Sequence, residues 1–314
     1  MAATTTLICR TATTFARDGS LDVAAQEEFL QRLVDCGLGM YLASAGSGEG
    51  HALEADEVRR LYQIGVAVGG GRVPVNANPP EAHTPRRTIE HAQLAAECGV
   101  DVVNIYGPTA WHGFRPTDEE LMSYYDDVFA EVKHPTALAP NPIIGYTPSA
   151  RVMGEICAKH HQVVAINLAG LNDYYFIQLQ DALTRPVDIF VPFTSSLHTL
   201  SMGAAGLLAA EANILPKTFR QYLDLYAADR VDDLGRVYAQ LYRFSRYVNP
   251  WHNASPRWIK MSMAVLGLPG GRGGPRPPYR AAPADELRRF TDGLVSLDIP
   301  EIAELVAAGD AAEV

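Results

Sequence analysis

Short apolar and β-branched runs alternate along the chain with longer runs whose apolar positions recur every three or four residues. The strand-like runs are 7–14, 40–46, 73–78, 101–106, 136–141, 163–168, 187–192 and 205–211. Between them lie amphipathic helices. Asp22 is placed to cap one with Phe29, Leu30, Leu33 and Val34 as its stripe. The next carries Val58, Leu61, Ile64 and Val68 and stops at Gly69-Gly70-Gly71. Thr117 and Glu120 have capping-box spacing, opening a helix with Leu121, Tyr125, Val128 and Val132 inward. Strands that alternate with helices pair in parallel through right-handed crossovers. Eight units of about 25–30 residues predict a closed (β/α)8 barrel. The rival, a doubly wound open sheet, lacks its GxGxxG turn after the first strand. The expected division is a barrel over 1–228 and a helical extension over 229–314, broken at Pro250, at 268–278 and at Pro300.

Composition narrows the function classes. Of 314 residues, 47% are hydrophobic and 20% charged, as in a soluble globular protein. No run approaches the length of a membrane-spanning helix, and the first ten residues lack a secretory pattern. Cys9, Cys36, Cys98 and Cys157 are widely spaced, which fits reduced thiols and a cytoplasmic location. A net charge of −10 argues against a nucleic-acid or anionic-membrane partner. The nine histidines show no HxH or HExxH spacing and no P-loop is present, so neither a metal site nor a cofactor is expected. Lysine is scarce: Lys133, Lys159, Lys217 and Lys260 are the complete set.

Four blocks together resemble the dihydrodipicolinate synthase / N-acetylneuraminate lyase family of class I aldolases. Thr13-Thr14-Phe15 with Asp18-Gly19-Ser20-Leu21-Asp22 is similar to TPF…DGxID. Ala45-Gly46-Ser47-Gly48-Glu49 with Leu53 and Glu57 is similar to GTTGE…L…E. Gly203-Ala204-Ala205-Gly206 with Asn213-Ile214-Leu215-Pro216 follows, and Lys260, Leu266-Gly267-Leu268 and Arg276-Pro277-Pro278 complete the set. The resemblance implies a TIM barrel with a C-terminal helical extension, a homotetramer or dimer, and a small 2-oxo-acid substrate.

The chemistry positions depart from the pattern. The family's Schiff-base lysine ends the sixth strand; in Val163-Val164-Ala165-Ile166-Asn167-Leu168 that place falls on Asn167. An amide cannot form the imine. Lys133 and Lys159 precede strands, at the opposite end of a barrel from its site. Lys217 opens a helix, and Lys260 matches a structural position of the extension. The relay tyrosine of the fifth strand maps to Ala139, and the first threonine of GTTGE maps to Gly46.

The remaining candidates are drawn from the strand ends, where a barrel of this class holds its ligand. Asn167, His112 and Tyr146 are the catalytic candidates, the amide for a carbonyl oxygen and the other two for proton movement. Ser47 and Gly48 retain a loop that the resemblance assigns to a substrate carboxylate. Glu49 reads as more structural than substrate-binding. Tyr106, Trp111, Asn141, Phe193 and Thr194 are expected to line the pocket. Asn76 and Asn104 are expected to serve turns. The leading reading is an enzyme performing a lyase-type or cyclisation reaction on a carbonyl-containing carboxylate without a lysine imine. The alternatives are a non-catalytic small-molecule-binding or regulatory relative, and an aldolase that borrows its amine from elsewhere, for example the substrate.

Overall fold

The computed structural model describes residues 5–170, 172–251 and 257–312. Eight parallel strands close a barrel in chain order: β1 (Thr6–Arg10), β2 (Gly39–Leu42), β3 (Val75–Ala77), β4 (Val102–Tyr106), β5 (Thr136–Ala139), β6 (Val163–Asn167), β7 (Asp188–Pro192) and β8 (Gly206–Ala209). The helices between them are α1 (Val23–Asp35), α2 (Ala55–Gly69), α3 (Pro85–Glu97), α4 (Asp118–Glu131), α5 (Ala150–Lys159), α6 (Asp173–Ala182) and the single turn α7 (Ser196–Thr199). After β8 come α8 (Pro216–Ala227), α9 (Val231–Val248), α10 (Arg257–Val265), α11 (Ala284–Val295) and α12 (Pro300–Ala312). The expected (β/α)8 TIM barrel with C-terminal helices is therefore the fold.

Local chemistry accounts for the element ends. The Asp22 carboxylate accepts the Ala25 N–H at 3.1 Å, and Phe29, Leu30, Leu33 and Val34 of α1 are buried. Thr117 and Glu120 close their capping box, and α4 buries Leu121, Tyr125 and Val128. Several strands stop earlier than their apolar runs. Ala43 at φ +62° turns the chain out of β2, and Pro140 follows β5 without an N–H for the ladder.

Packing divides the described residues into two compact units, one within 75–208 and one that joins 5–74 to those of 209–312. In the first, β4 pairs with β5 and β5 with β6, setting Asn104 opposite Ala137 and Leu138 opposite Ile166. In the second, the connector between α10 and α11 lies against the loop after β1. A Cβ on Gly273 would stand 1.6 Å from the Phe15 carbonyl oxygen, so only glycine permits that approach.

Candidate active site

In the 75–208 unit the strand ends carry amides. Strand residues alternate between the two faces of a sheet, so Asn104 shares its face with Val102 and Tyr106, and Asn167 shares its face with Ala165. Asn167 Nδ2 donates to Asn104 Oδ1 at 2.8 Å, and Asn104 Nδ2 donates to Asn78 Oδ1 at 2.9 Å. β4 and β6 are not neighbours, because β5 lies between them. Their side chains meet only by crossing the inward face of β5, where the residues are Ala137 and Ala139. Leu138 pairs with Ile166, which leaves Ala139 level with Asn167. A large side chain at either alanine would stand in the line of the Asn104–Asn167 bond. Asn78, Asn104 and Asn167 are all buried, with Asn167 the most exposed at 6%. Asn76, two residues before Asn78, is also buried, and its Oδ1 has no hydrogen-bond partner.

This corrects the expectation that Asn104 serves a turn: it is a strand residue at the centre of a side-chain chain. The signal was present as parity. Asn76 on β3 and Asn78 just after it are two apart, and Asn104 and Tyr106 are two apart on β4, the spacing of one strand face. Parity alone does not say which face is inward, and that was the missing step. Asn141 does serve a turn. Its Oδ1 accepts the Ile143 N–H at 3.1 Å and opens the short turn Pro142–Ile144.

The other candidates of this unit are dispersed. Trp111 and His112 sit in the turn Trp111–Gly113, with their rings stacked at 6.3 Å; Trp111 is 63% exposed and also meets the His83 ring edge-on. His112 holds a left-handed backbone at φ +54° and is exposed. Tyr106 ends β4 half-buried. Its carbonyl accepts the Tyr124 hydroxyl at 3.3 Å. The Tyr146 hydroxyl is buried beside Gly107, where a Cβ would stand 2.6 Å from it, and it has no hydrogen-bond partner. Burial, and next the neighbouring Tyr124, hold this phenol well above the ordinary tyrosine range, so it stays protonated. Phe193 is buried and Thr194 exposed in the turn after β7.

In the other unit the loop after β2 is held from behind by charge. Ser44 Oγ accepts the Gly48 N–H at 3.1 Å, and Thr13 Oγ1 donates to the Gly48 carbonyl at 2.6 Å. The Gly48 N–H is thus committed within the loop, and Ser47 is the half-buried residue at its tip. Glu49 is fully buried. Its Oε1 lies 3.2 Å from Lys260 Nζ, an ionic contact rather than an aligned hydrogen bond, and its Oε2 accepts the Arg276 backbone N–H at 2.8 Å. Lys260 also donates to the Thr13 carbonyl. The Arg276 guanidinium bonds both oxygens of Glu57, and the carbonyls of Gly19 and Ala52. Both cations stand over the Phe15 ring, Lys260 Nζ at 4.7 Å and Arg276 Cζ at 4.2 Å. Burial lowers the Lys260 pKa, and the Glu49 charge opposes that shift. Glu49 is therefore held by the fold, as the sequence suggested.

The remaining lysines also have structural partners. Lys133 donates to the Phe129 carbonyl at 2.8 Å, Lys159 to Asp126 at 2.7 Å and Lys217 to Glu304 at 2.9 Å. Among the described residues, no group of three or more His, Cys, Asp or Glu could hold a metal, and no helix is long and apolar enough to cross a membrane.

Known proteins place this geometry in context. A 4-hydroxy-tetrahydrodipicolinate synthase of Xanthomonas axonopodis pv. citri is 27% identical over 309 residues, covering 96% of this chain and 98% of that protein. A Coccidioides immitis protein with the provisional name mitochondrial 4-hydroxy-2-oxoglutarate aldolase is 28% identical over 223 residues, 69% of this chain and 70% of its own. The solved 4-hydroxy-tetrahydrodipicolinate synthase of Methylacidiphilum fumariolicum SolV superposes with a TM-score of 0.84 at 21% identity, covering 96% of this chain and 98% of that one. The model of the dihydrodipicolinate synthetase family matches residues 3–295. With its motif blocks, its closed barrel and this match, the chain belongs to the dihydrodipicolinate synthetase family.

Proposed function

We propose that the protein performs a lyase-type or cyclisation reaction on a carbonyl-containing carboxylate without a lysine imine. One observation carries the reading. Asn167 closes β6, where the family resemblance expects the imine-forming lysine, and its amide is tied to Asn104. The four lysines of the chain lie elsewhere, each with a structural partner.

An amide has no nucleophilic lone pair to form an imine. It does hydrogen-bond a carbonyl oxygen. A donor aimed at a developing oxyanion is typically worth roughly 3–4 kcal/mol in the transition state. In this reading Asn167 meets the substrate carbonyl, and His112, the accessible one of the two proton-transfer candidates, moves the proton. General acid–base help of that kind contributes on the order of 10²–10⁴-fold.

The test is trapping. Pyruvate with borohydride should leave the intact mass of the protein unchanged. A reduced adduct on Lys133, Lys159, Lys217 or Lys260 would overturn the reading. Ligand binding with no turnover of any 2-oxo acid would favour the non-catalytic relative instead.

A further inference from the structure

Asn78, Asn104 and Asn167 form a chain with a direction. Each amide has a donor side and an acceptor side. Asn167 Nδ2 carries two hydrogens and gives one to the Asn104 oxygen, and Asn104 gives one of its own two to the Asn78 oxygen. If Asn167 alone turned through half a revolution, its oxygen would face the Asn104 oxygen at bonding distance. If Asn104 turned as well, the same conflict would move to Asn78. The three amides therefore keep one order or turn together. They are buried, so solvent does not relieve a misdirected group. The inward face of β5 offers only Ala137 and Ala139 at this level, so no side chain there competes for the bond across it.

We propose that Asn104 is a positioning residue that holds the Asn167 amide in one orientation for the ligand, with Asn78 as its anchor. The inference rests on the reading of Asn167 as the group that meets the substrate carbonyl. Asn104 acts through Asn167 and touches no substrate. Hydrogen bonds in a chain polarise one another, so Asn167 meets its ligand as a fixed and strengthened dipole that needs no reorientation. A ligand with the opposite hydrogen-bonding demand would have to turn all three amides.

The chain contains nine asparagines, so full-length protein labelled with 15N only at asparagine has at most nine side-chain NH2 pairs. The amide protons of Asn104 and Asn167 should exchange slowly with D2O. Asn78→Ala should speed exchange at Asn167, two links away. Asn104→Leu should abolish the slow exchange at Asn167, and Asn104→Asp, which keeps an acceptor for Asn167 and is met by an Asn78 amide turned to donate, should restore it. With pyruvate as the calorimetric probe, Asn104→Leu should weaken binding roughly tenfold, the scale of one lost hydrogen bond. Asn104→Asp should stay within about twofold of wild type. Unchanged exchange at Asn167 in both Asn78→Ala and Asn104→Leu, or equal loss of affinity in the Leu and Asp variants, would overturn the proposal. If wild-type protein does not bind pyruvate, the ligand assignment of Asn167 fails separately, and the exchange pattern alone decides whether Asn104 orients it.

Discussion

In the 75–208 unit the buried polar side chains of β4, β6 and the residue after β3 are neutral amides. Asn78, Asn104 and Asn167 bond one another, flanked by Ala137, Ala139 and Ala165. In the unit that joins 5–74 to the described residues of 209–312, the cluster around Lys260 is ionic. Two cations, Lys260 and Arg276, meet two carboxylates, Glu49 and Glu57, around one aromatic ring. A buried charge needs a counter-charge, whereas a buried amide needs only hydrogen bonds. The ionic cluster meets the first condition and fixes loop backbone at Thr13, Gly19, Ala52 and Arg276. The amide chain meets the second through its own hydrogen bonds.

The largest effect should come from breaking the ionic cluster. Lys260→Met leaves Glu49, fully buried, without its cation. Removing one member of a buried pair typically costs about 3–5 kcal/mol. Replacing both, as Lys260→Met with Glu49→Gln, removes the uncompensated charge and should recover part of that loss. Urea unfolding of the single and double variants measures both numbers. A single variant within 1 kcal/mol of wild type, by the same scale, would show that the cluster does not hold its loops, and the contrast between the units would fail.

A smaller loss is expected in the amide chain. Asn167→Leu strips Asn104 Oδ1 of its donor in a buried place. An unsatisfied buried acceptor costs about 1–3 kcal/mol, without the penalty of a stranded charge. The same unfolding experiment should therefore rank Asn167→Leu below Lys260→Met. The reverse order would mean that the amides, not the ions, carry more of the architecture.

Much of this was legible beforehand because periodicity is local. Six of the eight strands fall within their expected runs, β1 and β2 begin one residue before theirs, and the Asp22 and Thr117 caps form as their spacing predicts. The family blocks also placed Glu49 and Lys260 in structural roles. The sequence did not show that they meet, because 211 positions separate them along the chain (260 − 49) and nothing local links them. Asn104 departs from the turn expectation for a related reason. A polar residue near a strand end commonly serves a turn, and only the closed barrel reveals that it reaches β6 across β5. The loop candidates His112 and Trp111 were named by residue type. Their exposure depends on loop backbone that no periodic signal encodes.

The smallest effect should separate the units by pH. The Arg276 guanidinium, bonding both carboxylate oxygens, is the main cause that holds Glu57 below its ordinary value of 4.5. A carboxyl whose folded pKa is lowered adds stability that is fully present above its unfolded pKa. That stability is lost as the pH falls from there through the folded value. Wild-type stability should therefore decline as the pH drops below 4.5, and part of that decline belongs to Glu57. Glu57→Gln removes the titrating group but leaves an acceptor for Arg276, so its stability should fall less steeply over the same interval. Asn104→Leu removes no titrating group and should shift the whole curve without changing its slope. Chemical denaturation of both variants between neutral pH and the acid limb makes the comparison. If Glu57→Gln kept the wild-type acid slope, the Arg276 contact would not set the acid limit of that unit. If Asn104→Leu altered the slope, the amide chain would be coupled to a titrating group, and its neutrality would no longer distinguish it from the ionic cluster.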